Sequence, residues 1–342
     1  MRILLINHEF TITGASVVFL RLANHLYLQG HTISVLSVNP ADGPIKTHYQ
    51  NRGIPIVSNA NLRNYDLVIA NTVCTASIVL ETAGHVKCIW FLHETEVGLT
   101  ILLRNPKLAA AFRVADAVIY QSEYQSDVYK SFTYMLDPVK FHIVPNGVDI
   151  TQADIERDAI PAKTRSLRIV QVGSVEPRKR PSDLINAVAS SQLDIECILC
   201  GKIFEIDDSA RVIVAKEPTK YRLIGETERQ QTLAWIESAD IFCLASGSES
   251  QPVSVFEAAL LARPLLLSDL LAYRNLFAHG RNCLMFPPGH VGLLAMGLRT
   301  YAANPRLRDE MGAAARQRAL PFNVSAFHDR FSAVINSVMC GR

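Results

Sequence analysis

The sequence predicts an α/β protein made of two Rossmann-like domains in series, each with a parallel sheet, their sheets facing a central cleft. Three observations lead there. Short apolar runs of strand length alternate with longer segments of helical periodicity, the order that parallel sheets require. That series occurs twice, separated by one polar, charged stretch, Ile150–Arg165, with Pro161 near its end. The chain has 342 residues, enough for two cores of ordinary size.

The elements follow in order. RILLIN (Arg2–Asn7) reads as the first strand, and Ser16–Gln29 as a helix with apolar residues at Val17, Phe19, Leu20, Ala23, Leu26 and Tyr27. Gly30 ends it, because glycine takes the left-handed conformation that stops a helix. Thr32–Val38, Tyr65–Asn71, Lys87–His93 and Ala115–Ser122 are further strands, and Lys140–Asp149 a last one entering a Pro-Asn-Gly turn. Beyond the linker, strands are expected at Leu167–Gly173, Glu196–Gly201, Arg211–Ala215, Asp240–Ser246 and Pro264–Asp269. Helices are expected between them at Pro181–Ser190, Glu228–Ser238 and Val253–Ala262. Three more close the chain, at Val291–Ala303, Arg306–Leu320 and Val324–Met339. The domains are therefore placed at residues 1–150 and 151–322, with a terminal segment 323–342.

Composition excludes several classes. Hydrophobic residues make up 49% and charged residues 19%, a globular rather than a disordered balance. A net charge of +2 is too small for a polyanion binder, so no nucleic acid partner is expected. The opening MRILLINHEF has too short an apolar stretch for a secretory signal. The apolar region from Val255 to Tyr273 is broken by Arg263, Pro264 and Asp269, which excludes a membrane span. Seven cysteines at irregular spacing suggest buried thiols in a reducing cytoplasm. Cys197-x-x-Cys200 lies in an apolar strand without a second metal-spaced pair, so core packing is expected and no metal. No G-x-G-x-x-G, P-loop or G-x-S-x-G pattern is present, which disfavours dinucleotide, P-loop and elbow-serine chemistry.

The most informative stretch is Ser246–Ala258, SGSESQPVSVFEA. Glu249 falls in a loop after a buried strand and Glu257 in the first turns of the next helix. Both lie at the carboxyl edge of a parallel sheet, where open α/β sheets bind ligands. Backbone N–H groups of Gln251, Val253 and Ser254 at the helix start would attract phosphate, whereas Pro252 has none to offer. The same residues also fit a capping box, Ser254 with Glu257, and a solvated loop carboxylate at Glu249. In the first half, His93 ends a strand at the same kind of edge, either as a ligand-facing group or as a satisfied histidine.

Taken together, several motifs resemble the GT-B-fold glycosyltransferases of the retaining family-4 group. They are TGASVVFLRLANHLYLQGH (13–31), FLHE (91–94), VPNGVD (144–149), VGSVEPRK (172–179), SGSESQPVSVFEA (246–258) and GRNCLMFPPG (280–289). Their order and spacing span nearly the whole chain. The resemblance implies that the first domain takes the acceptor and the second the donor, with the final helix crossing back to the first domain. It implies that His93 faces the transferred sugar, and that Gly14 and Ala15 lie near the donor phosphates or the acceptor. Glu94, Asn146 and Gly147 would border the same cleft. Lys179 matches the pyrophosphate lysine, with Gly173 and Arg178 beside it. Glu249 would lie by the donor sugar and Glu257 would accept from the ribose. Two positions depart from the family: Ala15 replaces a second glycine, and Ser174 stands where an arginine is frequent, a charge that Arg178 would supply instead.

The expected activity is transfer of a sugar from a nucleotide-diphosphate sugar, UDP- or GDP-linked, to a hydroxyl of a saccharide or lipid-linked acceptor. Configuration would be retained, with no cofactor and no metal. The setting would be surface polysaccharide or glycolipid assembly in the cytoplasm, at the inner face of the membrane in one version. The alternatives are an epimerase or phosphorylase of the same fold, or a silent nucleotide-sugar binding protein. Residues 97–115 mix apolar side chains with Arg104, Lys107 and Arg113, as either an interfacial segment in peripheral membrane contact or a core-facing helix broken at Pro106. No oligomeric state is assigned.

Overall fold

A computed structural model describes residues 1–39 and 41–341. The chain divides into two compact units, Met1–Gly147 with Val324–Arg342, and Val148–Asn323. Arg342, the end of the expected terminal segment 323–342, lies outside the described residues.

The first unit holds six parallel strands: β1 (Arg2–Asn7), β2 (Thr32–Ser37), β3 (Leu67–Asn71), β4 (Lys87–Phe91), β5 (Ala117–Tyr120) and β6 (Phe141–Ile143). Their spatial order is β2-β1-β3-β4-β5-β6, so the winding direction reverses between β1 and β3. Strands β3 and β5 are buried along their full length, and β1 and β4 at every position but the first. This is why they read as continuous apolar runs rather than alternating ones. The Gly14–Leu28 helix begins on Thr13, whose hydroxyl accepts from the Ser16 amide at 3.2 Å. The Val324–Cys340 helix belongs to this unit, burying Phe327, Phe331, Val334, Ile335 and Val338. The Phe331 ring meets Phe91 of β4 edge-on at 5.4 Å. The returning helix is thus a piece of this unit's core.

The second unit repeats the plan with β7 (Leu167–Val172), β8 (Ile195–Cys200), β9 (Tyr221–Gly225), β10 (Ile241–Leu244), β11 (Leu265–Ser268) and β12 (Leu284–Phe286), in the order β12-β11-β10-β7-β8-β9, all parallel. The reversal here falls between β7 and β10. Residues 150–165, expected as a linker, instead form two 3-10 turns, Gln152–Asp154 and Arg157–Ala159, packed on this unit through Ile155. The first turn closes as a capping box between Thr151 and Asp154.

One expected strand is wrong. Arg211–Ala215 lies in the Asp208–Lys216 helix, and the strand is Tyr221–Gly225. Val212 is exposed, while Ala210 is buried with Ile213 and Val214 partly covered, an i, i+3, i+4 stripe hidden inside a β-branched run. Strand β12, inside GRNCLMFPPG, was not anticipated. Cys197 and Cys200 are both buried in β8, and burial pushes the Cys197 thiol up to about 12. Among the described residues, no helix is long and apolar enough to cross a membrane.

Candidate active site

In the second unit the candidate residues gather where the strand order reverses, at the carboxyl ends of β7 and β10. Such a switch point opens a crevice because the loops leave it in opposite directions. Strand β7 ends at Val172, and Gly173 follows with φ +143°. Gly201, after the neighbouring β8, has φ +145°, and a Cβ there would lie 2.2 Å from the Gly173 carbonyl oxygen. Only glycine fits both positions, so the two backbones run in contact beneath the turn Pro177–Lys179.

That turn delivers Lys179 inward. Its ammonium donates to Glu249 Oε1 at 2.5 Å, and the Ser246 hydroxyl donates to the same oxygen at 2.6 Å. The Lys179 carbonyl accepts from Gln171 Nε2 at 3.1 Å. Arg178 lies at the rim, donating to Glu176 Oε1 at 2.8 Å and to the Ser248 carbonyl at 3.1 Å, with Glu249 Oε1 3.7 Å away. Ser174, at the position where the family often has arginine, donates to the same Glu176 oxygen at 2.7 Å. Glu176 therefore orients Arg178 beside the ion pair. Two cations and one buried carboxylate meet at the crevice.

The helix after β10 spans Val253–Leu260 and is preceded by Pro252. The alternative reading of Ser254 and Glu257 as a capping box is not realised: Ser254 Oγ donates to the Val172 carbonyl at 3.2 Å, tying the helix start to the end of β7. Glu257 is 5% exposed and is ion-paired to Arg229. Gln251 is buried next to Pro252, while Val253 and Ser254 are half-buried. Arg229 was not foreseen from the sequence, since nothing in a polar helix start marks a partner 28 residues onward.

In the first unit a second polar group assembles at the ends of β1, β3, β4 and β5. His93 Nδ1 is hydrogen-bonded to Gln121 Nε2, which also donates to Asn146 Oδ1 at 3.4 Å. His93 Nε2 is buried with no described partner. Burial, with His8 as a lesser influence, holds the His93 imidazole down at about 3, so it is neutral. At the reversal between β1 and β3, Asn71 Nδ2 donates to Asn7 Oδ1 at 3.1 Å. Thr72 beside it has φ +76°, a strained value for a β-branched residue, and its carbonyl accepts from Trp90 Nε1 at 2.8 Å. Asn7, His8, Asn71, Thr72 and Gln121 were missed. The available signal was the polar residue closing each apolar strand.

Glu94 braces the local backbone. Its carboxylate accepts from the Val73 amide at 3.0 Å and from the His93 amide at 3.2 Å, holding the loop after β3 to the end of β4. Burial raises its carboxyl above the usual range. Gly147 accepts from Arg21 at 3.2 Å through its carbonyl. Gly14 and Ala15 open the first helix, and a Cβ at Gly14 would meet nothing within 4 Å. In the 97–115 segment, Leu102, Ala111 and Phe112 are buried in the core of this unit.

Two family models together match residues 1–318. Glycosyl transferases group 1 matches residues 152–318, and glycosyl-transferase family 4 matches residues 1–155. D-inositol 3-phosphate glycosyltransferase of Jonesia denitrificans is 26% identical over 211 residues, 55% of this chain and 49% of the relative. Phosphatidyl-myo-inositol mannosyltransferase of Mycobacterium leprae is 24% identical over 200 residues, 57% of this chain and 53% of the relative. The chain spans about half the length of the curated relatives it matches. Among solved structures, Anabaena HepE in complex with UDP-glucose superposes with a TM-score of 0.82 at 18% identity, covering 98% of this chain and 100% of that one. Sucrose-phosphate synthase of Thermosynechococcus elongatus superposes with a TM-score of 0.77 at 16% identity, covering 100% of each. The architecture is the GT-B fold of these enzymes.

Proposed function

We propose that this chain, which belongs to the glycosyl transferases group 1 through residues 152–318 and to glycosyl-transferase family 4 through residues 1–155, is a retaining glycosyltransferase that needs no metal. It moves a sugar from a nucleotide-diphosphate sugar to an acceptor hydroxyl. The observation that carries this reading is the convergence of Lys179, Arg178 and Glu249 at the β7/β10 switch point, with a helix start tied to β7 through Ser254.

Each part has a chemical task. Cleavage of the sugar–phosphate bond leaves charge on the diphosphate, and fixed cations lower the barrier by meeting that charge as it develops. Lys179, Arg178 and the amides of Gln251, Val253 and Ser254 do this, and their charge replaces that of a metal. Charge-assisted hydrogen bonds of this kind are worth about 1.5–3 kcal/mol each. Glu249 orients Lys179 and accepts from the donor sugar; Glu257 accepts from the ribose. The leaving phosphate takes the proton of the attacking hydroxyl on the same face, so no separate base is required. His93, neutral, donates from its buried ring to the sugar.

The donor is UDP- or GDP-linked; the UDP-glucose complex of HepE favours uridine. The first unit takes a saccharide or lipid-linked acceptor, in surface polysaccharide or glycolipid assembly in the cytoplasm, a reading supported by the inositol-phosphate and phosphatidylinositol named for the relatives. Nucleoside diphosphate release is measured with uridine, guanosine and adenosine diphosphate sugars against an acceptor panel. Turnover that persists in EDTA, product with the donor's anomeric configuration by NMR, and loss in Glu249→Ala are expected. Binding without turnover would leave the silent-binder alternative.

A further inference from the structure

Glu257 is held by a residue that no part of the reading above uses. Arg229 opens the Arg229–Glu237 helix, and its NH1 donates to Glu257 Oε1. Its NH2 donates to the Asp149 carbonyl at 3.0 Å, so the guanidinium is anchored at two points contributed by two separate stretches of chain. The Glu257 side chain is 6% exposed and that of Arg229 is 35% exposed. A buried carboxylate needs a partner to remain charged, and a guanidinium fixed at its far nitrogen sets where that carboxylate points.

We propose that Arg229 is the specificity-determining residue for the ribose of the donor, acting by holding Glu257 in the orientation that accepts from the 2′-hydroxyl. This rests on the proposed assignment of Glu257 to the ribose. With Oε1 committed to Arg229, Oε2 is the oxygen offered to the nucleotide. A 2′-deoxyribose then leaves a buried charged acceptor without its donor, and sites built to accept from a hydroxyl discriminate strongly against analogues that lack it. Arg229 touches the carboxylate, not the nucleotide, and is a positioning residue.

The test is calorimetric, on the full chain, with UDP and GDP and their 2′-deoxy counterparts dUDP and dGDP, and with pyrophosphate as a probe of the cationic turn. Wild-type protein is expected to bind the preferred ribonucleotide about 10-fold or more tightly than its deoxy form, a difference of about 1.4 kcal/mol. Arg229→Met is expected to reduce that ratio to about 3-fold or less while leaving pyrophosphate affinity unchanged, and Arg229→Lys to restore part of it. A purely structural ion pair would alter thermal stability and weaken pyrophosphate along with both nucleotides, with the ratio intact; that result overturns the assignment. An Arg229→Met ratio equal to wild type overturns it also. Failure of the wild-type chain to bind any nucleoside diphosphate would instead remove the donor site itself, and this assignment with it.

Discussion

Lys179 and Glu249 stand 70 residues apart in the chain and form an ion pair at 2.5 Å, with side chains 11% and 7% exposed. The pair exists because β7 and β10 are spatial neighbours, although two strands and three crossovers separate them in sequence. Removing Lys179 leaves the buried Glu249 carboxylate with the Ser246 hydroxyl and the more distant Arg178 in place of its nearest cation. Lys179→Met is therefore expected to destabilise the protein by about 1–3 kcal/mol. Lys179→Met with Glu249→Gln should recover most of it. Urea unfolding of the two single variants and the double variant tests this; additive losses would count against a coupled pair.

In the proposed donor site, Arg178 would supply the charge that Ser174 does not. Held by Glu176, it sits 3.7 Å from the oxygen that Lys179 shares. Arg178→Met is expected to weaken UDP or GDP binding about 10-fold, with a smaller effect on the corresponding monophosphate. Equal loss on both, read by calorimetry, would mean that Arg178 does not meet the second phosphate.

The Gly173–Gly201 contact makes a prediction of the opposite character, since it concerns backbone alone. Gly201→Ala adds a Cβ 2.2 Å from the Gly173 carbonyl oxygen at φ +145°. Strain and overpacking together predict a loss of about 2–4 kcal/mol. Donor affinity should fall as well, because the Gly173–Ser174 backbone must move. Gly14→Ala, where a Cβ meets nothing within 4 Å, should change stability by less than about 1 kcal/mol. Chemical denaturation of both variants separates the cases.

His93 gives a pH prediction. Its pKa in the folded chain lies near 3, below the unfolded value of 6.5, so the unfolded state binds the extra proton between those limits. Stability from the neutral imidazole is complete above about pH 6.5 and is lost as pH falls toward 3, with a slope approaching about 1.4 kcal/mol per unit. His93→Gln, which can keep a hydrogen bond to Gln121, should lose less stability than wild type between pH 6.5 and 4. Parallel urea midpoints across that range would show that His93 is not buried neutral.

The alternation of strand and helix was legible because fully buried parallel strands must be apolar along their whole length, as β3 and β5 are. The same logic misled at Arg211–Ala215. A helix lying on the surface needs only one apolar stripe, here Ala210, Ile213 and Val214, and a β-branched run can supply it.

Local chemistry was likewise readable: His93, Lys179 and Glu249 stand at the carboxyl end of a strand or in the turn beyond it, and Glu257 in the helix that follows, where the sequence alone located them. Partners were not readable. Ser254 and Glu257 have capping-box spacing, yet Ser254 bonds to Val172 and Glu257 to Arg229, from elements 82 and 28 residues away. Periodicity and turn residues report the conformation of a segment, because their energies are set by neighbours within a few positions. Which strand ends become adjacent depends on sheet order, and that is decided by packing over the whole unit.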